Sequence, residues 1–246
     1  MPGNFSPEIC FQSEAGYFSH VTWEHQPKKS FIIMSKAVSS RKIFENALHM
    51  TNVAIFVSGS GTNCEAIIRH FAGSTDYKMA LVLSNKPDAY ALVRAKNLGV
   101  PTAVMTKKEF NDENRLMALM KEYDIDFIVL AGFLLVVPEF LINAYERRMI
   151  NLHPALLPKF GGIGMYGHHV HEAVKAAGET ETGMTVHYVS AKVDGGEIIA
   201  QYSTPISVDD TPDQIAEKEH VLEMRYFPQV VQNVLDATFG QDTHKL

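Results

Sequence analysis

The sequence predicts an α/β protein: a single Rossmann-like open sheet, mostly parallel, with an antiparallel C-terminal hairpin and helices on both faces. Three observations predict it. Continuous apolar runs recur at 53–57, 79–84 and 127–131, as expected of strands buried on both faces. Helical patterns lie between these runs, the alternation of right-handed βαβ units. Beyond residue 180 the pattern changes. Met184-Thr185-Val186-His187-Tyr188-Val189 alternates as a half-buried strand, and Asp194-Gly195-Gly196 then turns the chain into another short strand.

The elements follow in order. Val53-Ala54-Ile55-Phe56-Val57 is the first strand, the loop Ser58-Gly59-Ser60-Gly61-Thr62-Asn63 comes next, and a helix starts at Cys64. The second strand, 79–84, ends in the turn Asn85-Lys86-Pro87-Asp88. A helix covers 89–98, with Gly99 as its stop. A short strand at 101–105 and a helix at 114–122 lead to the fourth strand, 127–131. An apolar loop, Gly132-Phe133-Leu134-Leu135-Val136-Val137, leaves that strand, and Pro138 opens the next helix. The fifth strand, 149–152, runs into Asn151-Leu152-His153-Pro154. A glycine-rich loop spans 160–167, a helix follows over 168–177, and the hairpin strands come next. A long helix covers 212–235, and 239–246 reads as a polar tail.

Residues 1–49 fit neither period. Met50-Thr51 is followed at once by a strong strand, so the leading stretch reads as an extension, largely disordered, before a domain at 50–238. Met50 fits the natural first residue of the functional unit; the alternative is a partner-binding or targeting tail.

Composition narrows the function classes. The chain has 246 residues, 46% of them hydrophobic, enough for a sizeable core. A net charge of −6 argues against general nucleic-acid affinity. No apolar run approaches the length of a membrane span. Two cysteines, Cys10 and Cys64, lie far apart, which suits a reducing compartment and a cytoplasmic protein.

Three features carry chemistry. Asn151 and His153 are two positions apart, so on a strand they share a face at its end, where open α/β sheets bind ligands. A carboxamide donor beside an imidazole suits reaction at a carbonyl: one steadies an oxyanion while the other moves a proton. The bland alternative is a strand end whose Asn and His cap a turn. Second, strand, glycine loop and helix start present N–H groups to an anion, and the spacing favours one phosphate over a pyrophosphate. Third, Asp194 sits in a turn able to approach His153; a carboxylate there favours the imidazolium and raises its pKa. Asp-Gly-Gly is otherwise an ordinary hairpin turn. His168-His169-Val170-His171 invites a metal reading, but no Cys accompanies it and no His-Glu-x-x-His order exists, so no metal is expected.

With these motifs in hand, the chain resembles the phosphoribosylglycinamide formyltransferases, folate-dependent enzymes of purine synthesis. The resemblance runs from Met50 to about Leu235. It rests on the ordered series Ser58-Gly59-Ser60-Gly61-Thr62-Asn63, Ser84-Asn85-Lys86, Leu130-Ala131-Gly132-Phe133, Asn151-Leu152-His153-Pro154 with Leu156-Leu157-Pro158-Lys159, Gly183 with Thr185-Val186-His187, and Asp194-Gly195-Gly196. It implies formyl transfer from 10-formyltetrahydrofolate, a co-substrate, to the primary amine of glycinamide ribonucleotide, with no metal. His153 would be the general acid, Asn151 would hold the oxyanion, and Asp194 would keep the imidazole protonated.

The resemblance also implies binding roles. Gly61, Thr62 and Asn63 would take the acceptor's phosphate and ribose end, and Glu223 would sit against the acceptor. Leu134, Leu135, Val136 and Val137 would wall the pterin. Backbone groups there and at Ser190, Ala191, Lys192 and Val193 would read its ring. His169, His171 and His187 would line the cleft. Many members carry a basic residue where this chain has Leu135; a second basic position is matched by Arg94, counted with the folate contacts. The segment 161–167 also departs from the family pattern. Partners would be small molecules, with no nucleic acid and no membrane, and the state a monomer or homodimer. Two rivals stand: a formyltransferase of the same chemistry acting on another amine, and a non-catalytic folate- or nucleotide-binding regulator.

Overall fold

In a computed structural model, residues 50–240 are described; the expected extension over 1–49 and the last six residues lie outside them. Seven strands form one sheet in the order β3-β2-β1-β4-β5-β6-β7. They are β1 (Thr51–Val57), β2 (Tyr77–Ser84), β3 (Thr102–Val104), β4 (Phe127–Leu130), β5 (Met149–His153), β6 (Glu181–Tyr188) and β7 (Ile198–Pro205). The first five pair in parallel, and β6 and β7 join antiparallel. The expected mixed sheet with its edge hairpin is therefore present.

Each central strand is buried on both faces, as its unbroken apolar run requires. Val53, Ile55 and Val57 of β1 pack into one core layer, and Ala54 and Phe56 into the other. The first layer is closed by α1 (Thr62–His70), α2 (Tyr90–Asn97) and α7 (Pro212–Phe239). The second is closed by α3 (Lys107–Phe110), α4 (Glu113–Glu122) and α5 (Glu139–Ala144). The helix α6 (His168–Ala176) lies beside α7, with Val174 packed on Ile206 and Ile215.

Two details differ from the sequence reading. The short helix α3 was not anticipated; a capping box between Thr106 and Glu109 nucleates it, and Phe110 anchors it in the core. The polar tail was set to begin at 239, yet α7 runs through Phe239. That ring meets Phe127 edge to face at 6.3 Å between centroids, which holds the last turn on the domain.

Candidate active site

The chain order reverses between β1 and β4, neighbours in the sheet whose connections run to opposite sides. That switch point is where open α/β sheets leave a crevice at the carboxyl ends of their strands. The loops after β1, β4 and β5 open there into a cleft of about 740 Å³, lined also by residues of α6, α7 and the turn bearing Asp194.

The loop after β1 forms one wall. Gly61 has φ +75°, and a Cβ on it would lie 2.3 Å from the Cβ of Ala91, so only glycine lets the loop lie against α2. Gly61 also caps α1 without a side-chain hydrogen bond, so the first turn of α1 turns its backbone N–H groups to the cleft without a side-chain cap. Gly61, Thr62 and Asn63 all line the cavity, as expected. No Lys or Arg lines it among the described residues, so an anion there relies on backbone N–H groups and the helix end.

Arg94 differs from its expected place. Its guanidinium is taken up behind the loop, with Nε donating to the Ser60 carbonyl at 2.9 Å and Nη1 paired to Glu65. It lines neither cavity, because α2 packs on the back of the glycine loop and directs this side chain at the loop's own carbonyl. It braces the glycine loop from behind. Ser58, buried beneath, ties three strand ends together: its Oγ donates to Asn85 Oδ1 at 2.5 Å and accepts from the Leu134 N–H at 2.9 Å.

The apolar loop after β4 supplies the opposite wall. Leu134, Leu135 and Val136 line the main cleft, and Leu135, Val136 and Val137 line a smaller cavity of about 90 Å³ beside it. Ser190, Ala191 and Val193 complete that smaller cavity. Lys192 lines neither. Its carbonyl accepts from Ser190 Oγ at 3.0 Å and Gly195 N–H at 3.0 Å, and its stem packs over Gly195, so this residue is held within the turn.

The β5 pair meets at the cleft floor. Asn151 and His153 share a side of the strand, opposite His187 and Thr185 of β6. Asp194 reaches them from the β6–β7 turn: its Oδ2 is 3.5 Å from His153 Nδ1, and its Oδ1 is 3.5 Å from Asn151 Nδ2. His153 Nε2 donates to the Phe160 carbonyl at 2.8 Å. Both partners of this ring hold left-handed backbone, Asp194 at φ 51° and Phe160 at φ 55°. Such residues cost about 1–3 kcal/mol each and cluster where geometry serves function. The Gly162 N–H donates to Asp194 Oδ2 at 2.9 Å, coupling the glycine loop to the carboxylate.

The electrostatics at His153 oppose one another. Burial lowers the His153 pKa and outweighs both the Asp194 carboxylate and the Phe160 carbonyl, which raise it. Burial therefore works against the imidazolium that the sequence led us to expect. The His153 side chain is only 4% exposed, and one carboxylate 3.5 Å away does not repay the lost hydration. Burial pushes Asp194 up as well, but the contacts with His187, the Gly162 N–H and His153 hold its carboxyl below the usual range.

The three histidines separate. His187 Nδ1 donates to the Tyr188 carbonyl at 2.9 Å, leaving Nε2 to accept from Asn151 Nδ2 at 3.1 Å. It orients Asn151 from the smaller cavity. His171 is buried and lines the cleft. His169 does not: two positions along an α-helix lie on nearly opposite faces, and His169 is exposed, paired with Glu172. Glu223 lines the cleft as expected, accepting from Asn63 Nδ2 at 2.8 Å. Glu219, one turn earlier and 2% exposed, was not anticipated; its signal was an acid at a core position of the helical period. Cys64 is inert, its buried thiol pushed up to about 12.

An amide donor, an imidazole and a carboxylate, grouped on a strand end in a switch-point cleft, suit group-transfer chemistry at a carbonyl. The comparisons with known proteins agree. A family model described as Formyl transferase matches residues 51–231. The chain is 35% identical over 187 residues to a phosphoribosylglycinamide formyltransferase of Haemophilus influenzae, covering 74% of this chain and 86% of that protein. It is 36% identical to the chloroplastic phosphoribosylglycinamide formyltransferase of Arabidopsis thaliana, covering 73% of this chain but only 63% of that protein, just under two thirds. A crystal structure of phosphoribosylglycinamide formyltransferase from Bacillus halodurans superposes with TM-score 0.69 at 37% identity, covering 76% of this chain and 97% of that one. The chain belongs to the formyl transferase family.

Proposed function

We propose that the chain transfers the formyl group of 10-formyltetrahydrofolate to the primary amine of glycinamide ribonucleotide, a step of de novo purine biosynthesis. The observation that carries the reading is the Asn151–His153–Asp194 cluster, set between an anion-binding loop and an apolar wall. The names of the relatives support the same acceptor and the transfer of a formyl group.

The steps follow from the geometry. The acceptor's phosphate docks at the N–H groups of Gly61, Thr62 and Asn63, and its amine reaches the floor of the cleft. The pterin lies against Leu134–Val137 and the turn at 190–193. The amine nitrogen attacks the formyl carbon, and the carbonyl electron pair moves onto oxygen. One Nδ2 hydrogen of Asn151 is held by His187; the other makes only a long 3.5 Å bond to Asp194 Oδ1, which it exchanges for the oxyanion. Removing one such donor costs roughly 3–4 kcal/mol of barrier. The attacking nitrogen must then lose a proton and the leaving N10 must gain one. A neutral His153 takes the first and returns it to the second, and Asp194 steadies the imidazolium in between. The C–N10 bond breaks, giving the formylated amine and tetrahydrofolate. No metal is required. We also take the chain to act in the cytoplasm on small molecules, as a monomer or homodimer, which light scattering distinguishes.

The test is direct. Incubate the chain with 10-formyltetrahydrofolate and glycinamide ribonucleotide and follow the deformylated folate by absorbance. Turnover is expected; turnover only with a different amine would keep the chemistry and remove this acceptor, and turnover with none would favour a binding role.

A further inference from the structure

Along α7 a buried stripe recurs every fourth residue: Ile215, Glu219, Glu223 and Phe227 are 0%, 2%, 9% and 0% exposed. Its ends are core side chains, while its two central positions are acids on the cleft wall. Glu223 Oε2 accepts from Asn63 Nδ2 at 2.8 Å and lies 2.8 Å from His220 Nδ1. Glu219 stands one turn before Glu223 on the same buried face of α7, the spacing at which two side chains meet. Its Oε1 has no hydrogen-bond partner, and neither do His171 Nδ1 and Asn63 Oδ1, from residues that also line the cleft. Buried polar atoms are satisfied as a rule, so unpartnered ones on a cavity wall mark a site completed by a ligand.

Two adjoining carboxylates this deep cannot both ionise, and the deeper one keeps the proton. Resting on the reading of this cleft as the acceptor's site, we propose that Glu219 is a positioning residue that stays protonated, donates a hydrogen bond to Glu223 and fixes the carboxylate edge Glu223 presents to the acceptor's hydroxyl or amine groups. Asn63 and His220 occupy Oε2 from one side, and Glu219 completes the hold, so Glu223 cannot rotate its free lone pairs away from the cleft. Burial, and then the charge of Glu223, push the Glu219 carboxyl well above the usual range. Glu219 touches no reacting atom; it acts only through Glu223.

The test compares the full chain with Glu219→Gln and Glu219→Val. Glutamine keeps an N–H donor at that place and valine removes it. Glu219→Gln is expected to hold the acceptor KM within about threefold, whereas Glu219→Val raises it about tenfold or more, the loss of a hydrogen bond to a charged group. The KM for the folate donor and kcat stay nearly unchanged in both. Separately, carboxyl ¹³C NMR of glutamate-labelled chain at pH 7 is expected to show one protonated glutamate, absent from Glu219→Gln. That signal does not depend on the acceptor's identity, so it stands even where glycinamide ribonucleotide proves not to be the substrate. An unchanged acceptor KM in Glu219→Val, equal losses in both variants, parallel losses for both substrates with a lowered Tm, or no protonated glutamate would each overturn the proposal.

Discussion

Asp194 Oδ2 stands 3.5 Å from His153 Nδ1, close enough to attract a proton to the ring but too far for a firm hydrogen bond. Burial then decides the balance and lowers the His153 pKa from its ordinary 6.5. The sign of the pH dependence follows. A ring that must be neutral loses activity only as pH falls through a pKa below 6.5. A ring that must be charged loses activity as pH rises past it. We expect kcat/KM to stay level from neutrality down to pH 6.5 and to decline below that value, with Asp194→Asn altering the position of the decline. A kcat/KM that falls on raising pH from 6 to 7 would restore the charged-acid role. The same shift predicts lower stability in acid: below about pH 6.5 the unfolded chain binds the proton that folded His153 refuses.

Gly61→Ala tests the phosphate wall. The new Cβ would meet Ala91 at 2.3 Å in a left-handed backbone. The loop must move, and the N–H groups of α1 move with it. We expect the acceptor KM to rise by roughly two orders of magnitude, about 3 kcal/mol, with the donor's KM little changed. Equal losses for both substrates would place the loop outside the acceptor subsite.

Ser58→Ala tests how the two walls are joined. It leaves the Leu134 N–H without its acceptor and frees Asn85. The cost is about 1–3 kcal/mol, read as a Tm lower by several degrees. Because Leu134 belongs to the folate wall, the donor KM should rise more than the acceptor KM. A variant as stable and active as the parent would show that this serine does not link the loops.

The sheet was legible because its signals are local. Unbroken apolar runs marked β1, β2 and β4 as buried on both faces, and the alternation of Met184-Thr185-Val186-His187 marked β6. Asn151 and His153 were legible because strand period alone puts them on one side. What was missed depends on packing. His169 and His171 look alike in sequence, and only the rotation of α6 decides that one is buried and the other exposed. Arg94 needed the position of α2 behind the glycine loop. The balance at His153 needed its burial, since the attraction of Asp194 could be foreseen but the desolvation opposing it could not. Glu219 was hidden among ordinary helix acids until α7 turned it inward.

The most direct measurement of the central claim is the formyl-transfer rate of His153→Ala, taken with saturating donor and acceptor, beside calorimetric affinity for the acceptor. If His153 relays the proton between the attacking amine and the leaving nitrogen, kcat falls by about 10²–10⁴, while acceptor affinity stays within a few fold. A variant that retains its kcat, or whose acceptor affinity collapses with it, would make His153 a binding or structural residue and contradict the account.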